Sequence, residues 1–236
     1  VDFQWNFFVE GSLYLVMVVL LIPMRAPYQE AGTARRASPL STVVEGLSYM
    51  LKNRVMLRLL VINLVRAGVF MPLVLLLPAY TQHSLTAGAA VGTAMIFSMG
   101  IGGVIATVIM SSWGFFTRKG LVCLVALLAG SAVVLSLGLS HWVWYSVPIM
   151  AVMGLAQTTF IVGNQTLIQL VVPDTLRGRV SSVWHYESGL VPLFAGLIGV
   201  VAEFRDIAFA MTLAGAIAVG LSLWFMARFK DIRALD

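Results

Sequence analysis

Charge is what this sequence has least of. Of its 236 residues, 11% are charged and 60% hydrophobic, whereas soluble domains carry about 25% charged residues. A larger core does not account for the deficit, because a soluble surface must still be covered with polar groups. The mean hydropathy of +0.95 thus excludes an ordinary soluble domain and points to a membrane-spanning chain. Cysteine is nearly missing: Cys123 stands alone, so no internal disulfide is possible. The three histidines, His83, His141 and His185, lie far apart and make no metal-ligand spacing. No metal and no cofactor is expected. The chain has no Gly-x-Ser-Gly, no His-Glu-x-x-His and no paired aspartates in a helix, so an enzyme is not expected. It also lacks a methionine at position 1, and its first apolar stretch is too long and too acidic at its start for a signal peptide. The chain is expected to be a piece of a longer protein.

What is present is apolar sequence in long runs. Crossing the hydrocarbon layer takes about 20 apolar residues as helix, and seven stretches qualify: 5–24, 57–80, 89–112, 120–139, 142–164, 180–202 and 207–227. The expected fold class is an all-α integral membrane protein with seven transmembrane helices. The one long hydrophilic segment, 25–56, holds Ser38-Pro39, an N-cap followed by proline at the first helical position. Val43, Val44, Leu47 and Leu51 then share a face, which predicts an amphipathic helix along the membrane surface.

Basic residues fix an expected orientation. Arg25, Arg35, Arg36, Lys52, Arg54 and Arg58 fall between the first two spans, and Arg118 and Lys119, Arg177 and Arg179, and Arg228, Lys230 and Arg233 follow on alternate connections. The opposite side has Arg205 alone, and Arg66 lies inside a span. Positive residues mark the cytoplasmic side, so the N-terminus is expected outside and the C-terminus inside a multi-pass cell membrane protein. The net charge of +5 then belongs to the inner membrane surface, and no nucleic-acid partner is expected. Positions Ser38 and Thr175 should be reached only from the cytoplasm, and Thr81 and Ser84 only from outside.

Polar residues inside spans are costly and mark function or packing. Gln157, Thr158, Asn164, Gln165 and Gln169 fall within one arc of a helix. Two readings stay open: lining of a cavity, or interhelical hydrogen bonds worth about 0.6–2 kcal/mol each. Gln157 and Thr158 are assigned to a cavity; Asn164, Gln165 and Gln169 fit a structural or gating role. Asn63 and Arg66 share a neighbouring face of span 57–80, with Arg66 near the midplane. His185, Glu187 and Ser188 lie early in span 180–202, which Pro192 should kink. Gly88 and Gly92 form a GxxxG, and Gly100, Gly102 and Gly103 follow it. Span 120–139 has almost no polar atoms and is expected to face lipid.

"NQTLIQLVVPDTLRGRVSSVW" (164–184) resembles the loop between the tenth and eleventh helices of major facilitator superfamily transporters. The nearest branch is that of enterobactin-exporter-like and drug-exporter-like proteins, also called transmembrane secretion effectors. "VVEGLSYMLKNRVMLRLLVINLVRAGVF" (43–70) resembles the same branch's entry into its seventh helix. The resemblance implies helices six to twelve of a twelve-helix protein. Residues 1–24 would be the last helix of an N-terminal half, 25–56 the central cytoplasmic loop, 57–227 the six-helix C-terminal half and 228–236 a cytoplasmic tail. It further implies proton-coupled efflux of a small, partly apolar molecule at the inner membrane, with Asn63, Arg66, Gln157, Thr158, His185, Glu187 and Ser188 in the cavity. Asn164, Gln165, Pro173, Asp174, Arg177, Gly178 and Arg179 would form a gate or hinge, and the missing helices would be partners beside lipid and substrate. The connection "SSWGFFTRKG" (111–120) lacks the acidic residue of the family pattern, so a gate built on that acid is not carried over. A seven-helix receptor or a non-transporting scaffold is the competing class. The last span has no lysine for retinal, and neither Asp/Glu-Arg-Tyr nor Asn-Pro-x-x-Tyr occurs.

Overall fold

The computed structural model describes residues 3–23, 39–112, 118–173, 176, 178, 180, 187–233 and 235. The chain divides into two compact units, Val1–Ser38 and Pro39–Asp236. The first contains helix α1 (Phe3–Leu21), in which the Ser12 hydroxyl donates back to the Phe8 carbonyl at 2.7 Å. That bond lets a serine sit in an apolar helix without an orphan donor.

The second unit contains α2 (Pro39–Lys52), α3 (Arg54–His83), α4 (Ala89–Ser112), α5 (Lys119–Leu139), α6 (Val143–Val171), α7 (Glu187–Phe204), α8 (Ile207–Arg228) and the short α9 (Lys230–Arg233). Seven apolar helices were expected; among the described residues there are nine helices, of which α3, α4, α5, α6 and α8 are long and apolar enough to cross a membrane. Apolar helix also runs over Phe8–Leu21 and Gly189–Phe204, in shorter stretches. The additional helices are the amphipathic α2 and the tail helix α9, whose hydrophilic sequences keep them off the count of spans.

Local chemistry explains the boundaries. α2 begins at Pro39, whose fixed φ suits the first turn. α3 follows after a single residue because Asn53 is its N-cap: Oδ1 accepts from the amides of Val55 (3.0 Å) and Met56 (3.3 Å). Asp206 caps α8 in the same way, accepting from Phe209 N at 2.6 Å. On α2, Met50 and Gly46 make the buried contact, while Leu47 and Leu51 stay exposed; the side chains of Val43 and Val44 lie outside the described residues.

Helix directions follow from named contacts. At the end of α3 the Tyr80 hydroxyl donates to the Leu137 carbonyl (2.7 Å), approaches the Ser140 carbonyl (3.1 Å) and meets the Ser146 hydroxyl (3.2 Å). The ends of α3 and α5 and the start of α6 thus share one end of the bundle. Gly120, at the other end of α5, donates to the Leu235 carbonyl at 3.3 Å. There Arg58 of α3 is paired with Asp231 and lies over the Phe229 ring at 5.0 Å. Arg58, Arg118, Lys119, Arg228, Lys230 and Arg233 therefore gather at one end, hereafter the basic end.

Residues 120–139 meet protein on one side and keep an apolar face outward, with Val125 and Leu139 exposed. α5 is the most buried of the five long helices and packs against α6 and α8. An absence of polar atoms suits a dry protein interior as well as lipid. Its Gly, Ala, Ser and Cys residues let neighbours approach: a Cβ on Gly138 would sit 2.5 Å from Thr212 N and one on Gly130 2.2 Å from the Phe70 ring. The expected GxxxG contact also moves. Nothing lies within 4 Å of a Cβ placed on Gly88 or Gly100, whereas one on Gly102 would stand 1.8 Å from the Ala151 carbonyl oxygen. Thr81 is buried, its hydroxyl bonded to the Pro78 carbonyl at 3.0 Å, whereas the neighbouring Gln82 is exposed.

Candidate functional site

α3 and α6 run antiparallel, and the seam between them holds most of the polar groups buried inside the bundle. From Tyr80 to Arg66 is fourteen residues down α3, and from Ser146 to Phe160 is fourteen along α6. Both pairs are in contact: the two hydroxyls at one level, and the Arg66 guanidinium 5.8 Å from the Phe160 ring centroid at the other. The seam is therefore in continuous register.

Asn63 and Arg66 stand one turn apart on its α3 side, at 1% and 4% exposure. Arg66 Nε donates to Asn63 Oδ1 at 3.1 Å. The i, i+3 spacing and the tilt of helical side chains toward the N-terminus bring the two together. The guanidinium thus reaches toward the basic end. The ring face of Phe160 supplies part of the electrostatic compensation for burying its charge. Arg66 lies twelve residues into α3, about 18 Å along the axis by helical rise.

On the α6 side, Gln157, Phe160 and Asn164 follow at three- and four-residue spacing and share a face. Gln157 Nε2 donates to Met71 Sδ at 3.6 Å, while its Oε1 is buried with no partner among the described residues. Asn164 is wholly buried, and neither Oδ1 nor Nδ2 has a partner among the described residues. By the register of the seam it is level with Ile62 and Asn63. Buried polar groups are nearly always satisfied, so this amide is an exception.

The predicted polar set is divided by the fold. Asn63, Arg66, Gln157 and Asn164 come together along the α3–α6 seam. Thr158 turns to α4: its Oγ1 is 3.0 Å from where a Cβ on Gly103 would be. Gln165 and Gln169 are exposed, because α6 continues to Val171, past the predicted end at 164. Pro173 and Gly178 are exposed as well. Asp174, Arg177, Arg179 and His185 lie outside the described residues, and Glu187 and Ser188 are placed only by the backbone of the first turn of α7. Sequence reasoning missed Phe160 and Met71. Phe160 was legible from its place between Gln157 and Asn164, but aromatic residues are too common in spans for that spacing to single it out.

The comparisons decide the family. A model described as Major Facilitator Superfamily matches residues 1–195. The chain belongs to that superfamily. It is accordingly a membrane transporter, and α3 to α6, with the buried seam, all lie inside the matched region. No curated protein and no solved structure matches it. Major facilitator halves are built from inverted three-helix repeats with the substrate site near the bilayer midplane. Among the described residues the Arg66 cluster and the Ser131–Ser222 hydroxyl pair are buried polar groups part-way along the bundle.

Proposed function

We propose that this chain is the helix-six-to-twelve portion of a proton-coupled exporter that moves a small, partly apolar molecule by alternating access. The observation that carries the reading is the buried Asn63–Arg66–Phe160 cluster, part-way along α3, in a family whose sites lie near midplane. A permanent cation at that depth is costly and marks a pathway or a coupling site. Asn63, Arg66 and Gln157 form the α3–α6 wall of the cavity; Glu187, at the start of α7, supplies its acid, and Thr158 stands at the junction with α4. The segment from Pro173 to Arg179 serves as inner hinge. The termini are outside (N) and cytoplasmic (C), in keeping with the gathering of basic residues at one end.

Within this reading Glu187 is the acid that answers Arg66. α7 packs on α3, with the Phe194 ring 3.4 Å from a Cβ placed on Gly68. α7 ends just before α8 starts, at the level of the α5 end, so α3 and α7 are parallel. Glu187 lies seven residues before Phe194, about 10 Å nearer the basic end, and Arg66 reaches in that direction through Asn63. Protonation of Glu187 would release the guanidinium and couple proton entry to cavity opening.

The test is efflux driven by a pH gradient in cells or proteoliposomes, using the chain joined to its preceding helices. Arg66→Glu and Glu187→Arg are each expected to abolish efflux, and the double exchange to restore part of it. A double exchange no better than the worse single, with Glu187→Gln silent, rejects the pair. Absence of gradient-driven movement of any apolar dye by the unaltered protein rejects the exporter reading itself.

A further inference from the structure

An apolar furrow runs along the outside of the bundle between α5 and α6, with a volume of about 270 Å³. Val122, Val125 and Ala129 line it from α5, and Val152, Leu155 and Thr159 from α6. Thr159 is the only residue of its described lining with a polar side chain. Val125, Val152 and Leu155 are exposed, so the furrow is open along its length to whatever surrounds the protein. α5 and α6 themselves touch near the basic end, where a Cβ on Gly163 would lie 2.5 Å from Cys123 Sγ. The furrow's volume of about 270 Å³ and its almost wholly apolar lining suit a slender hydrocarbon chain. A single hydrocarbon chain fits.

The furrow has a charged mouth. Arg118 precedes the first turn of α5 and is exposed, and Lys119 opens that helix. At 100° per residue Lys119, the first residue of the helix, falls within about 20° of Ala126 in the furrow floor, and Arg118, the non-helical N-cap, stands just before it. The basic pair therefore stands at the end of the helix that floors the furrow. A span end lies at the headgroup level, and clustered basic residues there attract anionic lipid by about fivefold in affinity per residue.

We propose that this furrow is a specific site for one anionic phospholipid of the leaflet at the basic end. An acyl chain would lie along Val122, Val125 and Ala129 and the phosphate at Arg118 and Lys119. The site is on the α5–α6 side of the bundle and uses none of the residues of the α3–α6 seam. It rests on the chain spanning a membrane and not on what the chain carries.

Native mass spectrometry of the purified full chain, titrated with phosphatidylglycerol and with phosphatidylcholine of identical chains, tests it. Phosphatidylglycerol is expected to be retained preferentially as one bound copy. Arg118→Gln should lower that retention about fivefold and Arg118→Gln/Lys119→Gln further. Ala129→Leu should lower it by filling the furrow, with Ala129→Val as the milder form if the leucine variant loses its helical circular dichroism. Lys52→Gln, an exposed charge at the end of α2, should leave it unchanged. Equal retention of the two lipids overturns the proposal. So does retention that falls with Lys52→Gln as much as with Arg118→Gln while both Ala129 variants leave it untouched, since that pattern is unspecific surface charge.

Discussion

Of the faces that α6 turns to α4, α5 and α3, the first and the last are built on opposite principles. Toward α4 it presents Gly154, and a Cβ there would fall 1.8 Å from the Met99 carbonyl oxygen; Gly102 of α4 answers with the same clearance against Ala151. Backbone rests on backbone along this seam, and dispersion and close approach do the holding. Toward α3 it presents Gln157, Phe160 and Asn164, and the contacts there are a thioether bond, a cation over a ring and an amide without partners. The first seam has one way to close, because two backbones in contact leave no side-chain freedom. The second is held by long side chains that have other rotamers and other possible partners. One helix, α6, thus takes part in a seam of backbone contacts and in a seam of long side chains.

Breaking the rigid seam gives the largest expected effect. Gly154→Val forces a branched side chain into the α4 backbone with no flexible atom to yield. Overpacking in ordinary cores costs about 1–3 kcal/mol; a clash with a main-chain carbonyl exceeds that range. Loss of the folded monomer on size-exclusion chromatography is expected, and Gly100→Ala, where nothing lies within 4 Å, should elute as the unaltered protein does. If Gly154→Val folds with unchanged thermal stability, the helices are not in backbone contact.

Tyr80 gives the middle effect. It closes the end of the polar seam away from the basic end by tying α3 to both α5 and α6 through one hydroxyl. Tyr80→Phe removes the donor and leaves the Ser146 hydroxyl short of a partner at a buried position. A loss of about 1–3 kcal/mol is expected, read as a lowered midpoint of thermal unfolding in detergent. An unchanged midpoint would mean that the hydroxyl is satisfied equally well by water. The same substitution should leave the α4–α6 seam intact, so a cysteine pair placed across that seam should crosslink as before.

How much of this was legible in the sequence differs between the seams for a physical reason. Five of the seven expected spans, the α4 limits 89–112 and the polar set on α6 follow from hydropathy and from the rarity of amides in apolar helices. Asn63 and Arg66 stood out on the same ground. Glycines did not sort themselves: of Gly88, Gly92, Gly100 and Gly102, the first and third meet nothing within 4 Å, Gly92 meets the Thr81 side chain and Gly102 the α6 backbone, since spacing says nothing about which face a distant helix covers. The buried side of α5 was not legible, because apolar sequence has the same appearance in lipid and in a dry interior. Tyr80 was invisible, as two of its three partners are oxygens of the main chain. The rigid seam was thus written in residues that carry no label, and the polar seam in residues that do.

Asn164 gives the smallest effect on stability and the sharpest test of the contrast. A buried amide with both polar atoms unpartnered costs about 1–3 kcal/mol relative to a satisfied one, and an internal water recovers part of that. Asn164→Leu replaces the amide with a branched apolar side chain of similar volume and removes the unsatisfied groups. On a packing-only account the variant should be slightly more stable, by about 1 kcal/mol, or roughly 2–4 °C in thermal midpoint for a chain of this size. If the α3–α6 seam rearranges during transport, the same variant should transport more slowly, because the amide's partners belong to the other arrangement and leucine has none there. Higher stability with slower efflux is the expected pair of results. Lower stability by more than about 1 kcal/mol would mean that the amide is already satisfied at rest, and unchanged efflux would mean that this part of the seam does not move.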